Sequence, residues 1–392
     1  MSTDPSNTIV FSLFLVFTGA ALFATLALYA RQAMIVAYIF LGMILGPSGL
    51  GIVSDPGWIS DVAAIGIMFL LYLMGINLLP ERLWQILGEA LSVTLLSSFI
   101  FLSLGFGLGV LFGFTSKEAA FIGAALMFSS TILGLKLLPT TALHHRHTGQ
   151  VIISVLLLQD LLAIIILLLL QGYGKGGNLA KDIGMQLLFL PTLIGVAVLL
   201  DRYVLERLIA RFDQIREYIF LLTIGWCLGI AELAGQMGLS HEIGAFIAGV
   251  TLASSPIALF IAESLKPLRD FFLILFFFSL GAGFDLGVFS GLIIPATALA
   301  AAVLIIKPLV FHGLLMQAGE KRPLSIEIGV RLGQNSEFAL LIAVLAVQSK
   351  FIRAEISYLV QITTLLTFIL SSYLIVLRYP TPISVSDRLR RD

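Results

Sequence analysis

One carboxylate is conspicuous by its place in the sequence. Asp160 sits within VLLLQDLLAIIILLLL, flanked on each side by uncharged, largely apolar chain. About ten residues of helix on either side span ~15 Å at the usual rise per residue. That places an acid near the middle of a membrane-thick segment, where a charge is costly and asks for a reason. Such a carboxylate has two accessible states: protonated and neutral, or ionised beside a cation. Competition of a proton and a metal ion for one acid is the minimal chemistry for exchanging one for the other. The plainer alternative is a buried structural acid in a salt bridge. Gln159 stands next to it.

Other polar groups interrupt apolar runs. Lys307 lies in LIIKPLV. It either pairs with Asp160 when no cation is present or compensates the charge of a broken helix. Pro308 follows it and favours a kink. In IEIGVRLGQNSEFALLIAVLAVQ, residues Gly333, Asn335 and Ser336 break a run of good helix formers just before Glu337. Such breaks survive at membrane depth only where they face protein or water. Glu327 and Arg331 are four apart and share a helix face, so they can pair locally. Arg331 can equally brace the break or Glu337. In AAFIGAALMFSSTILGLKLL, residues Ser129, Ser130 and Thr131 form a second interruption. Their hydroxyls can bond to carbonyls one turn back, or help to coordinate a dehydrated cation.

The elements that carry these residues are long and apolar. The chain has 392 residues, 59% hydrophobic and 12% charged, against roughly 25% charged in ordinary soluble domains. Its solvent must be lipid over much of its surface. Thirteen stretches approach the length needed to cross a bilayer: 8–30, 33–46, 61–79, 88–114, 118–138, 149–171, 182–200, 217–236, 241–255, 267–287, 290–317, 323–348 and 354–378. The predicted fold class is an all-α polytopic membrane protein with about thirteen transmembrane helices. The fifth and twelfth stretches, each broken, lie seven apart and so run in opposite directions. Paired broken helices in inverted halves point to a transporter's binding site. With the N-terminus outside, fifteen basic residues fall in inside loops and five outside (Lys117, Lys175, Lys181, Lys350 and Arg353). This bias predicts N-out, C-in. The formal net charge of zero gives no sign of a nucleic-acid partner, and the single cysteine excludes an intramolecular disulfide. The sequence lacks a phosphate-binding loop, zinc spacing or nucleophile motif, so a transporter is expected and an enzyme is not.

Several segments in order carry a family resemblance: LLQD ending at Asp160, FSSTILGLKLL from Phe128, HEIGAFIAGVTLASSP from His241, LKPLRDFFLILFFFSLGAGFDL from Leu265, and RLGQNSEFAL from Arg331. The chain resembles the membrane part of Kef-type potassium/proton antiporters, within the monovalent cation:proton antiporters, over nearly all thirteen helices. The resemblance implies inverted repeats with two crossed broken helices. Within a transmembrane domain over 1–378 it implies a mobile core (about 88–171 and 290–378) and a scaffold for dimerisation (about 8–79 and 182–287). A short cytoplasmic tail is expected at 379–392. Asp160 matches the acid that exchanges protons and cations. Gln159, Ser130 and Thr131 match ion-binding positions, and Lys307, Glu337 and Arg331 match supporting charges.

The expected activity is exchange of cytoplasmic K+ for H+ by elevator-type alternating access, with K+ (or Na+) bound at Asp160 and no cofactor. The expected partners are membrane lipid and a second copy of the chain, in a plasma (inner) membrane. A sodium/proton antiporter of the same fold is the alternative. A gated potassium channel fits less well, because no selectivity-filter sequence appears. Kef members carry a soluble nucleotide-binding domain after the helices, and this chain stops without one. Nucleotide gating is therefore not carried over, and a separate regulatory subunit is a candidate partner. Asn77 stands where an acidic residue is usual.

Overall fold

A computed structural model describes residues 5–53, 57–77, 80–136, 147–173 and 179–381. The ends of several expected spans, the 137–146 and 174–178 loops and residues 382–392 of the expected tail lie outside the described residues. The elements in chain order are α1 (Pro5–Tyr29), α2 (Met34–Leu45), α3 (Gly57–Asn77), α4 (Pro80–Leu111), α5 (Ser116–Leu126), α6 (Thr131–Lys136), α7 (His147–Tyr173) and α8 (Leu179–Leu200). A π-turn (Asp201–Leu205) leads into α9 (Glu206–Phe212), followed by α10 (Arg216–Gln236), α11 (His241–Leu252) and α12 (Ala258–Ala282). After a 3-10 turn come α13 (Phe289–Gln317), α14 (Arg322–Arg331), α15 (Glu337–Gln348) and α16 (Ala354–Arg378).

The protein is an all-α polytopic membrane protein. Lipid offers no partner for backbone N–H and C=O groups, so each crossing must satisfy its own. Among the described residues, six helices are long and apolar enough to cross a membrane, and four shorter apolar helices accompany them. Many large apolar side chains point outward, such as Leu22, Leu259, Ile294 and Leu309. In lipid these faces are solvated.

Helix continuity fails where the sequence broke its apolar runs. The fifth stretch divides into α5 and α6 between Met127 and Ser130, and the twelfth into α14 and α15 between Leu332 and Ser336. α13, in contrast, runs through Pro295 and Pro308 without interruption. The basic connector after residue 200 is helical, continuing α8 through the π-turn into α9.

The helices pack in two groups. α2 and α3 lie on α12, α3 also on α11, α11 on α10, and α1 on α2. Separately, α4 packs on α5 and α7, and α13 on α4, α14 and α16, while α15 touches α5, α7 and α16. The groups meet chiefly where α16 passes α2 and where α7 leads into α8. Within the first group, glycines bring backbones together. A Cβ on Gly281 of α12 would collide with the Ile39 carbonyl of α2, and one on Gly249 of α11 with the Tyr72 carbonyl of α3. Small residues at such crossings let dispersion forces act at short range.

Valine at Gly281 or Gly249 should therefore destabilise the fold by about 1–3 kcal/mol, the usual cost of overpacking. Alanine at Gly107, which would meet nothing within 4 Å, should be neutral. Thermal unfolding of the purified protein in detergent checks both. Equal midpoints for all three variants would refute the close-packing account.

Candidate functional site

The two breaks meet. Ser129 Oγ donates to the carbonyl of Leu332 at 2.8 Å, linking the α5–α6 break to the end of α14. Lys307 reaches the same place from α13. Its Nζ donates to the carbonyl of Phe128 at 2.6 Å and to that of Gln334 at 3.2 Å. One amine thus satisfies a freed carbonyl from each break. The last carbonyls of a helix carry the negative end of its dipole, so a cation is favoured there. Of the two roles open to Lys307, this geometry is that of charge compensation at broken helices. No ion pair joins it to Asp160 among the described residues. Lys307 is fully buried, and its amine also lies 5.2 Å from the centre of the Phe101 ring.

Lys307 arrives there because α13 and α14 are unusually close. A Cβ on Gly329 would strike the Pro308 carbonyl, and one on Gly333 would lie 2.8 Å from Pro308 Cγ. The proline next to the lysine therefore sits in a glycine-lined groove of the broken helix.

Asp160 comes in from the middle of α7, 5% exposed. Both of its carboxylate oxygens lie 3.5 Å from Thr131 Oγ1, at the first residue of α6. That is at the outer limit of a hydrogen bond. Glu337, the first residue of α15, is buried and within electrostatic reach of Asp160. The crossing therefore holds two carboxyl groups near the starts of the second half-helices. Lys307 sits at the ends of the first halves.

Gln159 spans the first break with its side-chain amide. Its Oε1 accepts from Ser129 N at 2.9 Å, and its Nε2 donates to the Met127 carbonyl at 3.2 Å. Both ends of the amide are engaged with backbone. Ser130 Oγ accepts from Leu133 N at 3.0 Å and so caps α6, the usual service of a serine at a helix start. Arg331 is 1% exposed. Its Nε donates to Glu327 Oε1 at 2.9 Å, and its other arm donates to the Pro380 carbonyl at 3.0 Å.

Residues that sequence reasoning missed lie on α16. Thr367 Oγ1 accepts from Asn335 N at 3.1 Å, and Thr364 Oγ1 accepts from Asn335 Nδ2 at 2.8 Å. Ser371 Oγ donates to Gln334 Oε1 at 3.2 Å. Thr367 thus serves a backbone N–H freed at the second break, and Thr364 and Ser371 hold the Asn335 and Gln334 side chains. Their signal was present in QITTLLTFILSSY, where positions 364, 367 and 371 share one face of a helix. Asn335 Oδ1 is buried and has no hydrogen-bond partner among the described residues.

The sequence profile described as sodium/hydrogen exchanger, transmembrane, matches residues 13–376. The chain belongs to that family. Its members are transporters, and this family match bears out the motif resemblance to the Kef-type membrane part. Among curated relatives, K(+) efflux antiporter 4 of Arabidopsis thaliana is 28% identical over 87% of this chain and 59% of its own length. K(+) efflux antiporter 6 of the same plant is 29% identical over 87% of this chain and 58% of its own. The chain thus spans under two thirds of these two relatives. Iron transporter MagA of Paramagnetospirillum magneticum is 28% identical over 88% of this chain and 79% of its own length. The solved sodium proton antiporter MjNhaP1 from Methanocaldococcus jannaschii has the same fold, with a TM-score of 0.72 at 18% identity over 95% of this chain and 96% of that one.

In this exchanger-family chain, leucine at Gln159 would strip partners from two buried backbone groups. The expected loss is about 2–4 kcal/mol of stability, since each unsatisfied group costs roughly 1–3 kcal/mol. Glutamate at 159 should recover only the part served by Oε1. Thermal unfolding of the three proteins decides it. An unchanged midpoint for Gln159→Leu would show that the amide does not hold the break.

Proposed function

We propose that the protein exchanges K+ for H+ at Asp160. The observation that carries this reading is a buried carboxylate placed at the meeting point of two helix breaks. In such a place an uncompensated charge is costly, so the acid crosses the membrane cheaply only when protonated or beside a cation. Thr131 Oγ1 stands close to both carboxylate oxygens, and Asn335 Oδ1 is an unpartnered oxygen of the second break. Gln159 and Ser130 act mainly by holding the first break open, Lys307 and the α16 hydroxyls by holding both breaks in register. Glu337 adds negative charge near the ion.

Potassium is favoured over sodium by the two plant relatives named as K(+) efflux antiporters, matched over most of this chain. The packing of the helices in two groups supports movement of α4–α7 and α13–α16 against the rest, carrying the site from one side to the other. In this reading the protein is a secondary active transporter. It works as a homodimer in a plasma (inner) membrane, N-terminus outside, with room for a separate regulatory subunit. Protons entering on Asp160 drive K+ out of the cytoplasm.

Proteoliposomes with an imposed pH gradient and an internal pH dye test the reading. Dye recovery on adding K+ but not Na+, lost in Asp160→Asn, is the expected result. Recovery with Na+ alone would move the assignment to sodium. No cation-dependent proton movement by correctly folded protein would overturn exchange altogether. With Asp160 as the single exchanging group and Lys307 engaged with two carbonyls, one ion should exchange for one proton. The initial rate should then be independent of a membrane potential clamped with an ionophore. A rate that changes several-fold with the clamped voltage would refute that stoichiometry.

A further inference from the structure

A cavity of about 330 Å³ lies between α2 and α12 on one side and α6 and α16 on the other. That is at the lower end of the range for small-molecule sites, about 300–1,000 Å³. Its walls come from the α1–α2 turn, α2 and α12 in one packing group, and from Leu133 of α6 and Ser372 of α16 in the other. Along α12 the wall changes character turn by turn. Arg269 and Asp270 give way to Leu273 and then Phe277.

The polar groups at this cavity are not all satisfied. Arg269 is tied to Asp270, its Nε and a terminal nitrogen donating to Oδ1 at 3.0 and 2.8 Å. Arg31 has no acidic partner among the described residues, so the three lining charges sum to +2 − 1 = +1. Gln32 is 9% exposed and Ser372 1% exposed. Gln32 Oε1 and Ser372 Oγ are both buried without a hydrogen-bond partner. Each such group costs about 1–3 kcal/mol unless something fills the place. Arg31 also holds the left-handed conformation, φ 59°, at the position after a helix end where glycine is usual. The backbone there returns bonds from Arg31 N to the Leu28 carbonyl and from Gln32 N to the Ala27 carbonyl. A side chain in that conformation costs roughly 1–2 kcal/mol.

We propose that this cavity binds a small amphiphile with one anionic head, a carboxylate or phosphate, on an apolar body. Arg31, the lining cation without an acidic partner among the described residues, takes the head. Leu133, Leu273 and Phe277 enclose the body. The occupant touches both packing groups at once, so it slows exchange by resisting their relative movement. That last consequence rests on the exchange reading above, whereas binding does not.

The test uses the full chain in lipid nanodiscs with radiolabelled dodecanoate as the probe. Expected is saturable binding of one probe per chain. Arg31→Gln should weaken it about tenfold, the worth of roughly one charge-assisted hydrogen bond. Ser372→Leu, which fills the cavity, should weaken it at least as much, and Arg31→Lys should keep most of it. Dodecyltrimethylammonium, with the same chain and a cationic head, should not displace the probe. Displacement by phosphatidic acid doped into the nanodisc would assign the site to a membrane lipid, and displacement only by soluble carboxylates would assign it to a free acid. The proposal is overturned by absence of saturable binding, by equal affinity in wild type and Arg31→Gln, or by equal displacement with the cationic amphiphile. Slowed K+-dependent proton movement on adding dodecanoate, absent in Arg31→Gln, reads the transport consequence separately.

Discussion

Lys307 joins two stretches of backbone that could not otherwise survive inside a membrane. A helix that stops halfway leaves carbonyls with no partner, and lipid provides none. Here two helices stop halfway at the same point, and the Phe128 and Gln334 carbonyls converge on one amine. The arrangement is reciprocal. A buried ammonium needs hydrogen-bond acceptors and negative potential, and two helix C-terminal ends supply both. Gly329 and Gly333 let Pro308, and with it Lys307, approach closely enough to make the bond. Without the lysine the two negative ends would face each other across a few ångströms of low dielectric, with Asp160 and Glu337 nearby adding charge of the same sign.

Around that bond the polar groups divide their labour. Gln159 closes the first break with the two ends of its amide. α16 closes the second with Thr364, Thr367 and Ser371. Ser130 and Ser336 cap the half-helices that follow each break, accepting from Leu133 N and Phe338 N. Several polar side chains at the crossing are thus spent on backbone. Asp160 is not. Among the described residues its hydrogen-bonding contact is the distant Thr131 hydroxyl, at 3.5 Å. In the exchange reading, a carboxylate held so loosely is the group left to meet a ligand.

The sequence made the crossing readable because breaks in apolar runs are local signals. Polar triplets at 129–131 and 334–336, a mid-helix Asp160 and a mid-helix Lys307 all stand out against leucine and isoleucine. What they bond to is not local. Lys307 meets a carbonyl 179 residues away in sequence, and two roles stayed open for it until that partner was known. Gln159 drew notice as a neighbour of Asp160, yet its side chain faces the backbone gap. For Arg331 the local pair with Glu327 was one of two readings and is the one found, while its bond to the Pro380 carbonyl lies far along the chain. The α16 hydroxyls were overlooked because threonine and serine are ordinary in membrane helices. Only their three- and four-residue spacing set them apart.

The way the two packing groups are held bears on how a site could change sides. In both groups glycines bring backbone to backbone: Gly249 and Gly281 in the group of α2, α3, α11 and α12, and Gly123 of α5 against the Leu102 carbonyl of α4 in the other. In the group of α4–α7 and α13–α16, hydrogen bonds through the crossing fix five helices to one point. Neither group deforms cheaply. In the exchange reading, the low-cost motion is therefore one body against the other, along the seam of α16 and α2. The cavity lined by Arg31, Gln32 and Ser372 lies on that seam.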